Sequence, residues 1–257
     1  MSRGRSHRRP GPPAAVVGRR PALEAVRSGA AIELVVARGA RRTEGLRELL
    51  AAAGAAGVPL RWASPREVAE LAAGARDQGV AAVIRGLVPL TEGDLTRRGW
   101  SEDAIVVALD GVSDPQNVGG IARTAEAAGA EALILRRRRG AGLTASAARA
   151  SAGALLHLPV AEVANLARAL DRLKAAGFWV VGLDEDAGRS VVDARRPPGH
   201  LAVVVGSEGQ GMSRLVRQAC DELLAIPMRG RVASLNVSVA TGVALFAYAW
   251  APVRQGS

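Results

Sequence analysis

The chain has 257 residues, 49% of them hydrophobic but only 3% aromatic, so it can bury a sizeable core packed mainly with Ala, Val and Leu. Its formal charge is +10 and Lys174 is the only lysine, so nearly all the positive charge is guanidinium, which matches phosphate bidentately and points to RNA or DNA as partner. A single cysteine, Cys220, excludes an intrachain disulfide and any multi-cysteine metal site, and His7, His157 and His200 lack the spacing of a zinc site, so no metal is expected and a reducing cytoplasm fits.

Residues 1–13 are mainly arginine, glycine, proline and serine, too polar to order themselves. They are expected to be a disordered basic tail, either an RNA-tethering arm or an unselected end, and their prolines and glycines oppose the amphipathic helix of a transit peptide. No signal peptide is visible, and no membrane is expected. The last apolar run, Leu235 to Trp250, is too short to span a bilayer and is interrupted by Asn236, Ser238 and Thr241.

Residues 14–90 switch period repeatedly: helix-like from Pro21 to Arg27, strand-like from Ile32 to Ala37, helix-like from Thr43 to Ala56, strand-like from Pro59 to Ala63. Ser64-Pro-Arg-Glu then opens a helix with a capping-box pattern, and Gly79 to Ile84 reads as a strand, completing a small α/β unit. Arg38, Arg41 and Arg42 follow the strand ending at Ala37, in a turn suited either to phosphate contacts or to plain solvation. Residues 91–101, with two glycines and alternating charges, are expected to be a linker.

Residues 102–257 form the second domain. It opens with the buried-type run Ala104 to Leu109, followed by a dense turn that makes Asn117 the expected N-cap of a helix carrying Val118, Ile121, Ala122 and Ala125. Strands are expected at Ala132 to Leu135, Leu155 to Val160, Phe178 to Leu183 and Leu201 to Val205. One helix is expected to bury Val163, Leu166, Ala167, Leu170 and Leu173, another Met212, Leu215, Val216 and Ala219. Strand alternating with helix predicts an α/β fold with a mostly parallel sheet covered on both faces.

Three stretches at the ends of these elements carry candidate chemistry. In Gly206-Ser-Glu-Gly-Gln-Gly the glycines lack dinucleotide-fingerprint spacing, while Glu208, set between glycines with nothing to pack against, can orient an arginine or a hydroxyl. Arg123 lies beside the apolar face of its helix, either snorkelling or facing the sheet rim shared by Asn117 and the peptide groups of Gly119 and Gly120. The loop Ile226 to Ala240 joins a β-like run, Leu223 to Ile226, to the last helix; Pro227, Gly230, Ser234 and Asn236 suit it to presenting backbone groups to a ligand. Arg136, Arg137, Arg138 and Arg139 end a strand at the same rim and favour phosphate contact over a solvated loop.

Asn117-Val-Gly-Gly-Ile-Ala-Arg123, Gly206-Ser-Glu-Gly-Gln-Gly211 and Ile226-Pro-Met with Ser234-Leu-Asn-Val-Ser-Val-Ala240, in that order, resemble the three motifs of the SpoU-type RNA ribose 2'-O-methyltransferases, most closely the bacterial 23S ribosomal RNA guanosine enzymes. The first domain is similar to that family's substrate-binding unit, itself like small RNA-binding ribosomal proteins. The resemblance implies a trefoil-knotted methyltransferase domain and a homodimer paired through it. It implies S-adenosylmethionine bound at Gly206, Gly211, Ile226, Met228 and Leu235, and catalytic positions at Asn117, Arg123, Glu208, Ser234 and Asn236. Arg123 stands where the family's proposed base for the ribose 2'-hydroxyl stands, an unusual role for a group whose solution pKa lies far above neutrality. The C-terminal helix supplies either a dimer face or a core helix. Neither the arginine run, the basic tail nor the loop Asp184 to Gly199 belongs to the motifs.

The sequence thus predicts cytoplasmic methylation of a ribose in 23S ribosomal RNA, at a guanosine. Transfer RNA ribose methyltransferases and adenosine-directed ribosomal resistance enzymes are the alternatives within the class. From another class, a non-catalytic ribosome-associated RNA-binding protein would keep the basic surface but not the intact motif residues, and the glycine spacing disfavours a nicotinamide enzyme.

Overall fold

The computed structural model describes residues 14–249 except 73, 75, 87, 138–142 and 233, so the basic tail, Arg138, Arg139 and Trp250 lie outside the described residues. Along the chain come β1 (Ala14–Val17), α1 (Arg19–Arg27), β2 (Ala31–Ala37), α2 (Glu44–Ala55), β3 (Leu60–Ala63), α3 (Pro65–Ala72) and β4 (Val80–Ile84). There follow α4 (Glu92–Arg97), β5 (Ile105–Asp110), α5 (Pro115–Ala127), β6 (Ala132–Arg136), α6 (Ala145–Ala150), β7 (Val160–Val163) and α7 (Leu166–Ala175). The chain closes with β8 (Phe178–Leu183), β9 (His200–Gly206), α8 (Arg214–Ala219), β10 (Glu222–Leu224) and α9 (Val237–Ala249).

Two compact units result, the first from described residues 14–88 together with Leu143–Leu156, the second from the remainder. In the first, the sheet order is β1-β4-β2-β3, with β4 antiparallel to β1 and β2 and β3 parallel to β2. Alternation along β2 sends Leu34 and Val36 to a core shared with Val26, Leu46 and Leu49, and Val35 and Ala37 to a core with Val68. The capping box forms as its residues predict: Ser64 N–H donates to Glu67 Oε2 at 2.7 Å, and Glu67 N–H to Ser64 Oγ at 3.2 Å.

The second unit holds a six-stranded, all-parallel sheet in the order β10-β8-β9-β5-β6-β7. One face, including Val106, Ala108, Ile134, Val180, Ala202 and Val204, is covered by Leu95 of α4, Leu166, Leu170 and Leu173 of α7, and Val216 of α8. Burying a side chain of this size stabilises by about 1.5–3 kcal/mol. Helices α5 and α9 pack together, and α9 also meets β9. Glycine permits that crossing, because a Cβ on Gly120 would come within 3.2 Å of Ser238 Cβ and one on Gly242 within 3.1 Å of Thr124 Cγ2.

Several local expectations change. The stretch read as a linker contains α4, capped reciprocally by Thr91 and Asp94, with Leu95 buried in the second unit's core. Its alternating charges are a capping box and a pairing surface, since Glu92 bridges Arg168 and Arg172 of α7. The strand expected from Leu155 to Val160 is instead a 3-10 turn, Ala154–Leu156, packed in the first unit, followed by β7 from Val160. Apolar content alone does not separate these two states. Val163 therefore ends β7 rather than starting α7, and Leu215 is 58% exposed because α8 starts only at Arg214 and turns Val216 and Ala219 inward.

Candidate active site

The site is assembled at the carboxyl ends of β5 and β9, neighbours in register from Ile105 opposite Leu201 to Asp110 opposite Gly206. After β9 the chain makes a tight loop closed by Ser207 and Gly211, whose peptide groups exchange bonds of 3.1 and 2.9 Å. Gly206 has no room for a side chain: a Cβ would fall 2.0 Å from the carbonyl carbon of Gly211. Gly209 and Gly211 take positive φ of 77° and 62°, which glycine adopts without strain. The loop consequently projects Glu208 outward on a fixed base.

That base is anchored by Asp110, a carboxylate only 4% exposed at the end of β5. Its Oδ2 accepts the Ser213 N–H at 2.7 Å, and its Oδ1 accepts Arg136 Nη1 at 3.4 Å. Arg136 is therefore half-buried in an ion pair, whereas Arg137 is exposed. Asp110 belongs to none of the three motifs; its mark in the sequence is that it is a carboxylate ending a fully apolar strand.

Glu208 gathers the motifs. Its Oε1 accepts Asn236 Nδ2 at 2.8 Å, Asn117 Nδ2 at 3.2 Å and the Val237 peptide N–H at 3.3 Å. Asn236 Nδ2 also donates to Asn117 Oδ1 at 2.9 Å, while its Oδ1 accepts the Ser238 N–H at 3.0 Å and hydroxyl at 2.6 Å. Asn236 is thereby the N-cap of α9, and both N–H groups and both lone pairs of its amide are used. Charge-assisted bonds to one carboxylate oxygen are among the stronger contacts available to a polar side chain. Glu208 Oε2 makes no hydrogen bond with a described residue and stays available.

Asn117 belongs to this network but not as a cap. Asp114 caps α5, accepting the Gln116 N–H at 2.9 Å, and Pro115 takes the first helical position, so Asn117 lies inside the first turn and is 8% exposed. Arg123 sits further along α5, three and four residues beyond Gly120 and Gly119 and so on their side of the helix. It is exposed and forms no hydrogen bond or ion pair with a described residue. Ser234 is likewise exposed and outside the network. Of the five catalytic candidates, the fold bonds Asn117, Glu208 and Asn236 to one another.

Of the expected cofactor positions, Gly206 and Gly211 form the tight loop, Ile226 and Leu235 are half-buried, and Met228 is 37% exposed. Described residues of 226–235 make no backbone hydrogen bonds to other described residues, leaving their peptide groups able to serve a ligand. This donor set suits a cofactor held by main-chain groups beside apolar side chains. Among the described residues no cluster of His, Cys, Asp and Glu could hold a metal ion, and no helix is long and apolar enough to cross a membrane. In the first unit, Arg38 and Arg41 line a cavity and Arg42 is exposed beside them.

Comparison with known proteins agrees with this architecture. Residues 104–246 match the SpoU rRNA methylase family, and residues 15–89 match a domain described as RNA 2'-O ribose methyltransferase substrate binding. A Photobacterium profundum protein named 23S rRNA (guanosine-2'-O-)-methyltransferase RlmB is 43% identical over 191 residues, 74% of this chain and 78% of its own. A Mycolicibacterium vanbaalenii protein named an uncharacterized tRNA/rRNA methyltransferase is 43% identical over 233 residues, 90% of this chain and 74% of its own. The solved structure of the SpoU methyltransferase AviRb from Streptomyces viridochromogenes, in complex with the cofactor AdoMet, aligns with a TM-score of 0.74 at 28% identity, covering 91% of this chain and 88% of that one. A parallel-sheet domain with this site, preceded along the chain by a substrate-binding domain, defines an RNA 2'-O-methyltransferase. The chain belongs to the SpoU rRNA methylase family.

Proposed function

We propose that this enzyme methylates the ribose 2'-hydroxyl of a guanosine in 23S ribosomal RNA, in the cytoplasm and as a homodimer. The observation that carries the reading is the bonding of Asn117 and Asn236 to Glu208, which unites all three motif segments at one rim of the sheet. The relative named as a guanosine-directed 23S enzyme supports the choice of ribosomal RNA over transfer RNA.

S-adenosylmethionine supplies an electrophilic methyl group on sulfonium, and its transfer to the ribose oxygen leaves S-adenosylhomocysteine. For that step the chain's own work is positioning and proton removal. Gly206, Gly211, Ile226, Met228 and Leu235 would hold the cofactor, largely through peptide groups. Glu208, with Oε1 committed to the two asparagines, keeps Oε2 for orienting Arg123 or a substrate hydroxyl. Arg123, whose guanidinium is not bonded within the described chain, engages the 2'-hydroxyl and its departing proton, and Ser234 lines the same approach.

The exposed apolar residues Val239, Val243 and Phe246 of α9 support a dimer face. The packing of α9 on α5 after the chain has left the sheet at β10 supports the trefoil knot. In the proposed division of labour residues 14–90 bind RNA and residues 102–257 carry out transfer.

The test is transfer of labelled methyl from S-adenosylmethionine to separate pools of ribosomal and transfer RNA, with nuclease digestion and an Arg123→Ala variant alongside. Ribose-methylated guanosine in large-subunit RNA, lost in the variant, is expected. Transfer to transfer RNA alone would overturn the substrate, and no transfer with RNA binding retained would favour a non-catalytic binder. Chromatography with light scattering checks the dimer.

A further inference from the structure

A cavity of about 520 Å3 opens in the first unit, lined by Arg19, Arg38, Arg41 and Arg76 against a single carboxylate, Asp77. It lies where β1 and β2 end and β4 begins: the Gly18 N–H donates to Val80 O at 3.0 Å, and the Ala37 N–H to Gly79 O at 2.9 Å. The turns entering α1, α2 and α3 lie at this same end of the sheet, so the amino termini of all three helices add positive potential there.

The cavity is built rather than left over. Arg19 is clamped, with Nη1 donating to Thr43 Oγ1 at 2.5 Å and Nη2 to Arg41 O at 3.1 Å, which ties the entry of α1 to the loop before α2. Asp77 is occupied within its own turn, accepting the Gly79 N–H at 2.5 Å. Outside the cavity Arg27 pairs with Glu48, Arg61 with Glu33 and Glu67, and Arg66 with Glu70. None of the four cavity arginines forms an ion pair with a described residue. Four guanidinium groups thus converge on one concave place whose single carboxylate is engaged within its own turn.

We propose that this cavity seats the sugar-phosphate backbone of the substrate RNA, with the guanidinium groups of Arg38, Arg41 and Arg76 on phosphate oxygens and Arg19 holding the floor. The inference rests on the reading that the chain acts on RNA and adds where and how the first unit grips it. The volume falls within the range of ligand clefts, roughly 300–1,000 Å3. The lining holds no aromatic ring on which a base could stack. Contacts of this kind set position and affinity and carry no base sequence; nucleotide choice therefore falls to other parts of the enzyme.

The experiment uses the full chain carrying Arg38→Gln, Arg41→Gln and Arg76→Gln together, against a charge-matched control carrying Arg27→Gln, Arg61→Gln and Arg66→Gln. Affinity for a large-subunit RNA fragment, poly(A) and poly(U) is read by fluorescence anisotropy between 50 and 200 mM salt, roughly the span over which phosphate contacts show their salt dependence. The cavity variant is expected to lose about 10- to 100-fold in affinity on all three RNAs and to flatten the salt slope by about 2–3, while the control changes little. In methyl transfer KM for RNA rises and kcat at saturating RNA is retained. Equal losses in both variants, an unchanged slope, or a loss confined to one homopolymer would overturn the proposal. If the wild type transfers methyl to neither RNA pool yet binds RNA through these arginines, the enzymatic reading fails and this site stands.

Discussion

Asn236 Nδ2 lies 2.9 Å from Asn117 Oδ1, joining residues 119 positions apart and holding the start of α9 against the first turn of α5. Because the same Asn236 amide caps α9 and donates to Glu208, one side chain serves both helix stability and site geometry. Asn236→Ala is expected to lower unfolding free energy by about 1–2 kcal/mol, the usual cost of a lost cap, and to reduce methyl transfer. Asn236→Asp keeps the cap but sets a second carboxylate against Glu208, so turnover falls further than stability does. Urea denaturation beside single-turnover assays separates the two; equal activity in Asn236→Asp and wild type would contradict the arrangement.

At Gly206 a methyl group would overlap the Gly211 carbonyl, which is backbone and has no rotamer to escape into. Gly206→Ala should therefore destabilise by about 2–3 kcal/mol, the upper part of the overpacking range, and displace the Glu208 loop. Loss of S-adenosylmethionine binding by calorimetry, with the shift in denaturation midpoint, is the measurement.

Arg123 offers the opposite case. Exposed and without a bond to any described residue, it contributes little to the fold, so Arg123→Ala is expected to leave stability within about 0.5 kcal/mol of wild type while abolishing methyl transfer. A variant that is both inactive and strongly destabilised would show that the side chain is structural.

Burial, with Asp221 beside it, pushes the Cys220 thiol up to about 12. A raised pKa favours the neutral thiol in the native state, so its contribution to stability is complete below the unfolded value, about 8.5, and is lost as pH rises towards 12. Native protein at pH 8 should alkylate slowly with iodoacetamide and urea-unfolded protein rapidly; equal rates would contradict the burial.

Asp94 runs the other way. The Thr91 hydroxyl and peptide N–H hold its carboxyl below the usual range, so its stabilisation is present above the unfolded value, about 3.9, and is lost as pH falls through the native one. Hydrogen exchange of α4 amides should accelerate in that acidic window, and the acceleration should be absent in Thr91→Ala if the cap is its cause.

Much of this molecule is legible before any coordinates. The uninterrupted apolar run of β5 and the strand-helix alternation after it specify a parallel sheet, because a strand buried on both faces cannot alternate with polar residues. The resemblance of the three motifs likewise marks Asn117, Glu208 and Asn236 as candidates. Tertiary structure decided the rest: that Asp114 rather than Asn117 caps α5, that Glu92–Arg97 within the expected linker folds as a helix, and that Leu143–Leu156 joins the first unit. It also turned Arg136 inward to Asp110 and gathered Arg19, Arg38, Arg41 and Arg76 around one cavity. Periodicity records which face of an element is apolar and turn chemistry records where the chain can bend. Which distant polar groups satisfy one another is fixed only when packing removes water from them, and that pairing is where the site's geometry comes from.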